Sequence, residues 1–349
     1  MCGKDIAKLE QNMKRIGKIL AGVLFVVLLL TGIKNEYARL LPVSTYGMQA
    51  AVKKKSVDHL FIGSSMFRQG LSIDVLEEML EGEVYILSYN GNQPAFMAME
   101  LEYMLKEGLE IGTLYVDLYP YTAAAAPWIS DTKILLDTDL SFKLDAWKLM
   151  NVYNDTKLLD FYELFVTANN EQILTYPIHN RLVSAQFRNG GNILTPGGQT
   201  KDHLDSLGML GGRDGLQEAQ VEGYKKILEL AREHGVKVYF IETPKYERMY
   251  RDADYMELYE ACRNKMEELT EADGTISTKE AGGSKETGQE SGINKADTDV
   301  YNAEVILAEE LSFDFADAAC FQDLIHLSTE GRTLYTKLLC EKLEELGVE

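Results

Sequence analysis

The sequence is short of positive charge, of cysteine and of histidine, and each shortage removes a class of function. Lys and Arg number 35 against 55 Asp and Glu, a formal net charge of −20. A phosphate backbone would be repelled, so no nucleic-acid partner is expected. Of the four cysteines, Cys262, Cys320 and Cys340 have neither zinc-ligand nor Cys-x-x-Cys spacing. Their positions leave open a Cys320–Cys340 bridge or free buried thiols. Cys2 can be acylated but lacks the residues that precede a lipoprotein cysteine, and it stays unassigned. The five histidines form no cluster with metal-ligand spacing, so neither a metal nor another cofactor is expected. No internal repeat is found.

What the chain does have is apolar residues, 46% of 349, enough to bury the core of one large α/β domain or two small ones. The first 18 residues carry five basic side chains (Lys4, Lys8, Lys14, Arg15, Lys18) against Asp5 and Glu10, a net of +3 in an otherwise acidic chain. Directly after them runs the uncharged ILAGVLFVVLLLTGI of 19–33. As a helix it spans roughly 23 Å, and snorkelling Lys18 and Lys34 close the gap to a ~30 Å hydrocarbon core. A membrane anchor is expected, with the basic flank cytoplasmic and the C-terminal domain extracytoplasmic in a single-pass topology. A cleaved signal peptide and a buried core helix are the alternatives. Thr31-Gly32-Ile33 matches a cleavage site poorly, and a run apolar on all faces at the N-terminus does not suit a core helix. The expected organisation is a tail and anchor over 1–35 and one domain over 36–349.

Short runs rich in Val, Ile, Tyr and Phe predict strands at His59–Ile62, Val84–Ser88, Thr113–Leu118, Val236–Ile241 and Ser312–Phe315. Helical patterns lie between and around them, at Ile73–Leu80, Ala95–Lys106, Leu216–Glu233, Tyr255–Leu269 and Thr329–Leu346. That alternation predicts a parallel sheet covered on both faces, a three-layer α/β/α fold. Two stretches break it. Residues 121–215, with helix-like pieces at Ser141–Met150 and Thr156–Ala168 and the Gly-rich RNGGNILTPGG at 188–198, read as an insertion over the sheet's ligand-binding edge. Residues 271–299 hold almost no apolar side chains and are expected to form a mobile loop.

Three segments carry chemistry. In HLFIGSSMFRQGL, 59–71, an apolar strand runs into Gly63-Ser64-Ser65. In a parallel sheet that turn lies at the carboxyl edge, where ligands bind and where backbone N–H groups can face an oxyanion. The alternative is a plain strand-to-helix turn with Ser as a cap. In FQDLIHLSTEGRTLY, 321–335, Asp323 and His326 are three residues apart. A turn brings both to one side, so His326 can serve as general base while Asp323 fixes its tautomer. Ser328 or Thr329 can cap the helix that follows. A surface Asp beside a partly buried His is the alternative. In LSYNGNQPAF, 87–96, Gly91 permits close backbone approach, and Asn90 and Asn92 are neutral donors suited to an oxyanion hole; simple Asn-Gly turn chemistry accounts for them equally.

In this order the three segments resemble the SGNH/GDSL hydrolase superfamily, over roughly 57–118 and 216–349. Gly63-Ser64-Ser65 stands where the family has Gly-Asp-Ser, which implies Ser65 as nucleophile. Asp323-Leu-Ile-His326 with Gly331 is similar to the family's C-terminal Asp-x-x-His block. Gly91 falls at the second-block oxyanion glycine, with Asn92 beside it. The third block, Gly-x-Asn-Asp, is missing, since the third strand ends VDLYPY at 116–121. The resemblance therefore implies a flavodoxin-like sheet, a Ser65–His326–Asp323 triad, and an oxyanion hole of the Ser65 and Gly91 N–H groups with Asn92. It is nearest the membrane-anchored branch that holds DltD-like proteins and polysaccharide O-acetyltransferase domains. That branch implies an esterase or O-acyltransferase acting on a cell-envelope polymer, with a membrane-bound O-acyltransferase as partner. A non-catalytic partner of such an acyltransferase is the competing reading.

The remaining candidates are weaker. Asp117 and Glu242 end strands on the carboxyl edge and can line the cleft or be solvated termini. Tyr119, Tyr121 and Trp128 can stack on a sugar or simply pack. His59, His179 and His203 are scattered, and His234 suits a helix end.

Overall fold

The computed structural model describes residues 3–40, 45–136, 138–280 and 303–348. The N-terminal segment is a helix, Gly3–Leu40, whose stretch Gln11–Lys34 is long and apolar enough to cross a membrane. No residue of its most apolar window is fully buried, and Lys34 at its end touches the insertion.

The centre is a parallel sheet of β1 (Ser56–Gly63), β2 (Val84–Ser88), β3 (Glu110–Asp117), β4 (Lys237–Ile241) and β5 (Glu304–Ile306), in the order β2-β1-β3-β4-β5. This is the doubly wound flavodoxin-like order, with its topological switch between β1 and β3. Strands buried on both faces need apolar residues at every position, and β2 is buried throughout. Leu60, Ile62, Leu114, Val116, Val238 and Phe240 face one layer, formed by the helices Met48–Lys54, Pro94–Lys106 and Glu218–His234. Phe61, Tyr115 and Tyr239 face the other, formed by Ser65–Gly70, Ile73–Met79 and Thr329–Glu345. These three rings share one register across β1, β3 and β4. They stack, with centroids 4.1 Å apart for Phe61–Tyr115 and 5.6 Å for Tyr115–Tyr239. The helix Glu218–His234 stops where the sequence indicates, at Gly235 in the left-handed region (φ 73°).

Two expectations need correction. The fifth strand is Glu304–Ile306, not Ser312–Phe315. The alternation at 311–314 is real: Leu311 and Phe313 are buried while Ser312 and Asp314 are exposed. It reflects side chains dropping onto the second layer with no ladder partner, because a period of two reports burial rather than pairing. The helix expected over Tyr255–Leu269 is longer, Ala253–Glu280, and takes in the first ten residues of the anticipated loop; 281–299 lie outside the described residues.

The insertion is itself folded. Helix Leu140–Tyr153 packs Trp147 against Phe161 and Phe165, with ring centroids 5.2 and 5.9 Å away. The helix expected at Thr156–Ala168 is broken into an α turn, Leu158–Phe161, and a π turn, Tyr162–Thr167. A further helix, Tyr176–Ser184, leads to a small hairpin, Phe187–Arg188 with Gly191–Asn192. The Gly-rich tract then acts as a strap. The Asn189 carbonyl accepts the N–H of Ile86 at the β2 edge (2.9 Å), and the Asn192 and Leu194 carbonyls accept from Arg332 (2.9 and 2.8 Å). The strap ends on the C-terminal block, where Gln199 donates to the Phe321 carbonyl (2.9 Å) and the Pro196 carbonyl accepts from the N–H and hydroxyl of Thr329 (2.8 and 3.0 Å). Gly198 lies so close to Ala319 that a Cβ would sit 1.9 Å from its carbonyl oxygen.

Candidate active site

Ser64 and Ser65 divide the two jobs the sequence left open. Ser64 caps the helix Ser65–Gly70: its Oγ accepts the Met66 N–H at 3.1 Å. It also ties the turn to β3, since its N–H donates to Asp117 Oδ2 at 3.0 Å and its hydroxyl donates to the same oxygen. Ser65, relieved of capping, turns its hydroxyl outward. Gly63 makes room for this, because a Cβ there would lie 2.7 Å from the Phe67 ring and 2.8 Å from Asp117 Cβ. Asp117 is thus neither a cleft-lining nor a solvated carboxylate but the buried support beneath the serine turn. Burial pushes its pKa up to about 6, against the opposing pull of the Ser64 hydrogen bonds and Lys245.

His326 Nε2 lies 2.9 Å from Ser65 Oγ, and His326 Nδ1 lies 2.8 Å from Asp323 Oδ2. The two loops, far apart in sequence, meet on one rim of the sheet. Asp323 Oδ1 accepts the N–H of Ile325 (2.9 Å) and of His326 (2.8 Å), so the carboxylate folds its own loop around itself. Burial raises the Asp323 pKa, but the bonds from the His326 ring and these N–H groups outweigh it and the net shift is downward. Its side chain is 43% exposed and that of His326 23%. The loop is closed by a bridge between Phe321 and Leu327 and by Gln322, whose N–H donates to the His326 carbonyl at 2.8 Å. Ser328 caps the following helix, accepting the Gly331 N–H at 3.1 Å, and its hydroxyl donates to the Ala319 carbonyl at 2.7 Å.

Gly91 takes φ 62° at the carboxyl end of β2, and Ser130 of the insertion stands against it. The insertion does reach the rim here: Asp131 accepts the Asn90 N–H at 3.2 Å. Ser65 opens its helix, so its N–H has no intrahelical acceptor. These are the two backbone donors the sequence nominated. Asn92 is a correction. Its amide donates to both Glu100 carboxylate oxygens (2.9 and 3.1 Å) and to the Gly63 carbonyl (3.4 Å), and its N–H bonds the Tyr89 carbonyl (3.1 Å). With every donor engaged, it is a buried brace between β1 and the helix Pro94–Lys106 rather than an oxyanion donor.

The other candidates are held in structural roles or left without a shown one. Glu242 is buried with Lys245 and accepts from Tyr250, Tyr259 and the Ala308 N–H (3.1, 3.2 and 3.0 Å), a structural hub. Tyr119 and Tyr121 are packing residues, the latter stacked on Tyr255 at 5.7 Å. Trp128 stays half-exposed. His59 is buried between Tyr115 Oη (2.9 Å) and the Glu81 carbonyl (2.8 Å). Cys262, Cys320 and Cys340 are free and buried, so no Cys320–Cys340 bridge forms.

Sequence reasoning passed over two residues. Gln69, one turn after Ser65, accepts from Gln322 at 3.3 Å and joins the serine helix to the histidine loop. Arg68 is buried, donating to the Ser88 carbonyl and Tyr46 and reaching Asp131 at 3.4 Å. Their offsets of three and four from Ser65 were the available signal, since these positions share its helix face.

No family model matches the chain, and no curated protein does. A solved structure from Streptococcus pneumonia named for platelet activating factor aligns over 93% of this chain and 99% of its own, at 14% identity and a TM-score of 0.36. A likeness at that level carries no weight for fold or chemistry.

Proposed function

We propose that the chain is a serine-dependent acyl-ester hydrolase or acyltransferase, held at a membrane by Gln11–Lys34, with its catalytic domain extracytoplasmic. One observation carries this reading: the unbroken pair of hydrogen bonds from Ser65 Oγ through the His326 ring to Asp323. Ser65 Oγ attacks the acyl carbonyl and His326 Nε2 takes its proton. Asp323 holds the ring with Nδ1 protonated and stabilises the imidazolium as it forms. The oxyanion faces the N–H groups of Ser65 and Gly91, each such donor being worth roughly 3 kcal/mol of barrier. His326 returns the proton to the departing alkoxide or thiolate, which leaves an acyl-serine. Water resolves it in a hydrolase, and a hydroxyl of a cell-envelope glycan or related polymer resolves it in a transferase.

The test is the full-length protein with a small acetyl ester and a fluorophosphonate probe. Ser65→Ala is expected to lose roughly 10⁴- to 10⁶-fold in kcat and all labelling. Full activity or undiminished labelling in Ser65→Ala refutes the nucleophile. Acceleration of acyl-enzyme turnover by added polysaccharide distinguishes transfer from hydrolysis.

A further inference from the structure

The insertion helix Tyr176–Ser184 and the turn before it, Asn170–Leu174, carry apolar side chains that the rest of the chain leaves mostly exposed. Leu174, Ile178 and Leu182 are 83%, 64% and 56% exposed. Ile178 and Leu182, four apart, share one face of the helix, and Leu174 ends the turn before it, ahead of the break at Thr175 (φ −103°, ψ 24°). Buried Val183 turns the opposite way, into the core. A water-facing surface rarely leaves large aliphatic side chains this exposed side by side.

The chain at the end of the apolar stretch and just past the N-terminal helix brackets this stripe of side chains. At one end, Lys34, the last residue of the apolar stretch, donates to the Val166 and Ala168 carbonyls at 2.8 and 2.9 Å. At the other, the Thr45 carbonyl accepts the Gly190 N–H at 2.8 Å, and Thr45 Oγ1 lies 3.5 Å from Ser184 Oγ. The chain on leaving the apolar helix therefore touches the insertion just before the stripe begins and just after it ends. A residue at the end of a bilayer span lies at the headgroup level, and what it grips lies there too.

We propose that Leu174, Ile178 and Leu182 rest in the lipid interface, so that the domain is seated on the bilayer by the insertion as well as tethered by its helix. This rests on the reading of Gln11–Lys34 as an anchor. The lipid surface is the occupant because both contacts come from the juxtamembrane chain, and the stripe adjoins the membrane by connectivity. An interfacial helix of this kind presents aliphatic side chains downward with a cation at the boundary, and Arg181 is exposed beside Leu182.

The test uses full-length protein in phosphatidylcholine–phosphatidylglycerol vesicles. The background is Cys2→Ser, since the other three thiols are buried. An environment-sensitive fluorophore is placed singly at Ile178→Cys, Leu182→Cys, Leu28→Cys in the apolar helix, and Leu334→Cys on the C-terminal helix. Two positions in the stripe guard against loss of fold at either, with circular dichroism reporting fold. Brominated acyl chains are expected to quench the labels at 178 and 182 as well as 28, and to leave 334 bright. Quenching at 28 with none at 178 and 182 overturns the proposal and leaves the anchor standing. No quenching at 28 overturns the anchor reading and the proposal with it. Labels at 178 and 182 shielded from aqueous iodide but untouched by bromolipid put a protein on the stripe instead and also overturn it.

Discussion

The two halves of the proposed active site are held in different ways. The serine turn is supported from beneath: Asp117 is buried and grips both polar groups of Ser64, and Asn92 binds the Gly63 carbonyl. The histidine loop is supported from the side and from within, by Asp323 folded onto its own N–H groups and by a strap from the insertion. One half is fixed by the core that makes the sheet, the other by a segment the sheet could do without. The position of Ser65, the proposed nucleophile, therefore depends on global stability, while that of His326, the proposed base, depends on a peripheral element that can be perturbed separately.

Removing the histidine's orienting partner acts on the side-supported half with the largest effect. Asp323→Asn is expected to lower kcat for a small ester about 10⁴-fold by favouring the wrong tautomer. Thermal unfolding of the same variant shows how little of that loss is misfolding, and undiminished turnover breaks the assignment. Next is the strap. Gly198→Val drives a side chain into the Ala319 carbonyl, and overpacking of this kind costs about 1–3 kcal/mol. Fluorophosphonate labelling is expected to slow more than the global melting temperature falls; an equal decline in both would mean that the halves are not separable. Asn92→Ala takes the Asn92 amide away from buried Glu100, for a loss of about 1–3 kcal/mol by denaturant titration, with kcat largely kept in the folded fraction. A selective collapse of kcat at full stability would restore Asn92 to the oxyanion hole.

The smallest effect distinguishes the two carboxylates by pH. Asp117 has a folded pKa above its unfolded one, so the fold binds its proton more tightly. Its contribution is full below the ordinary carboxyl pKa and is lost as pH rises through about 6. Asp323 is shifted down, so its contribution is present above the ordinary value and lost as pH falls through its folded pKa. In Asp117→Asn the decline of stability between about pH 4 and 6 is expected to flatten in urea titrations, and an unchanged slope would assign it to another group.

The meeting of Ser65, His326 and Asp323, the proposed triad, was legible because the signal is local. A glycine before two serines at a strand end, and Asp and His three apart before a capped helix, can be read without the fold. β1 to β4 were legible because strands buried on both faces leave apolar runs. β5 was not, since three residues, Glu304–Ile306, leave no run to see and the alternation at 311–314 imitates one. The role of Asn92 was hidden because it depends on Glu100, eight residues on and buried only by tertiary packing. The part the strap plays was hidden for the same reason, at much greater sequence distance.

Cys320 stands three residues before Asp323, with a free sulfur inside the second layer and a carbonyl that accepts the Ser328 N–H at 2.9 Å. Burial lifts its thiol to about 12, with Asp317 adding to the effect, so it is almost wholly protonated and inert while the loop is shut. A thiol reagent can react only when that wall opens. The protein thus carries a native chemical clock beside Asp323, and the alkylation rate of Cys320 in the unmodified chain measures how often the histidine loop leaves its seat.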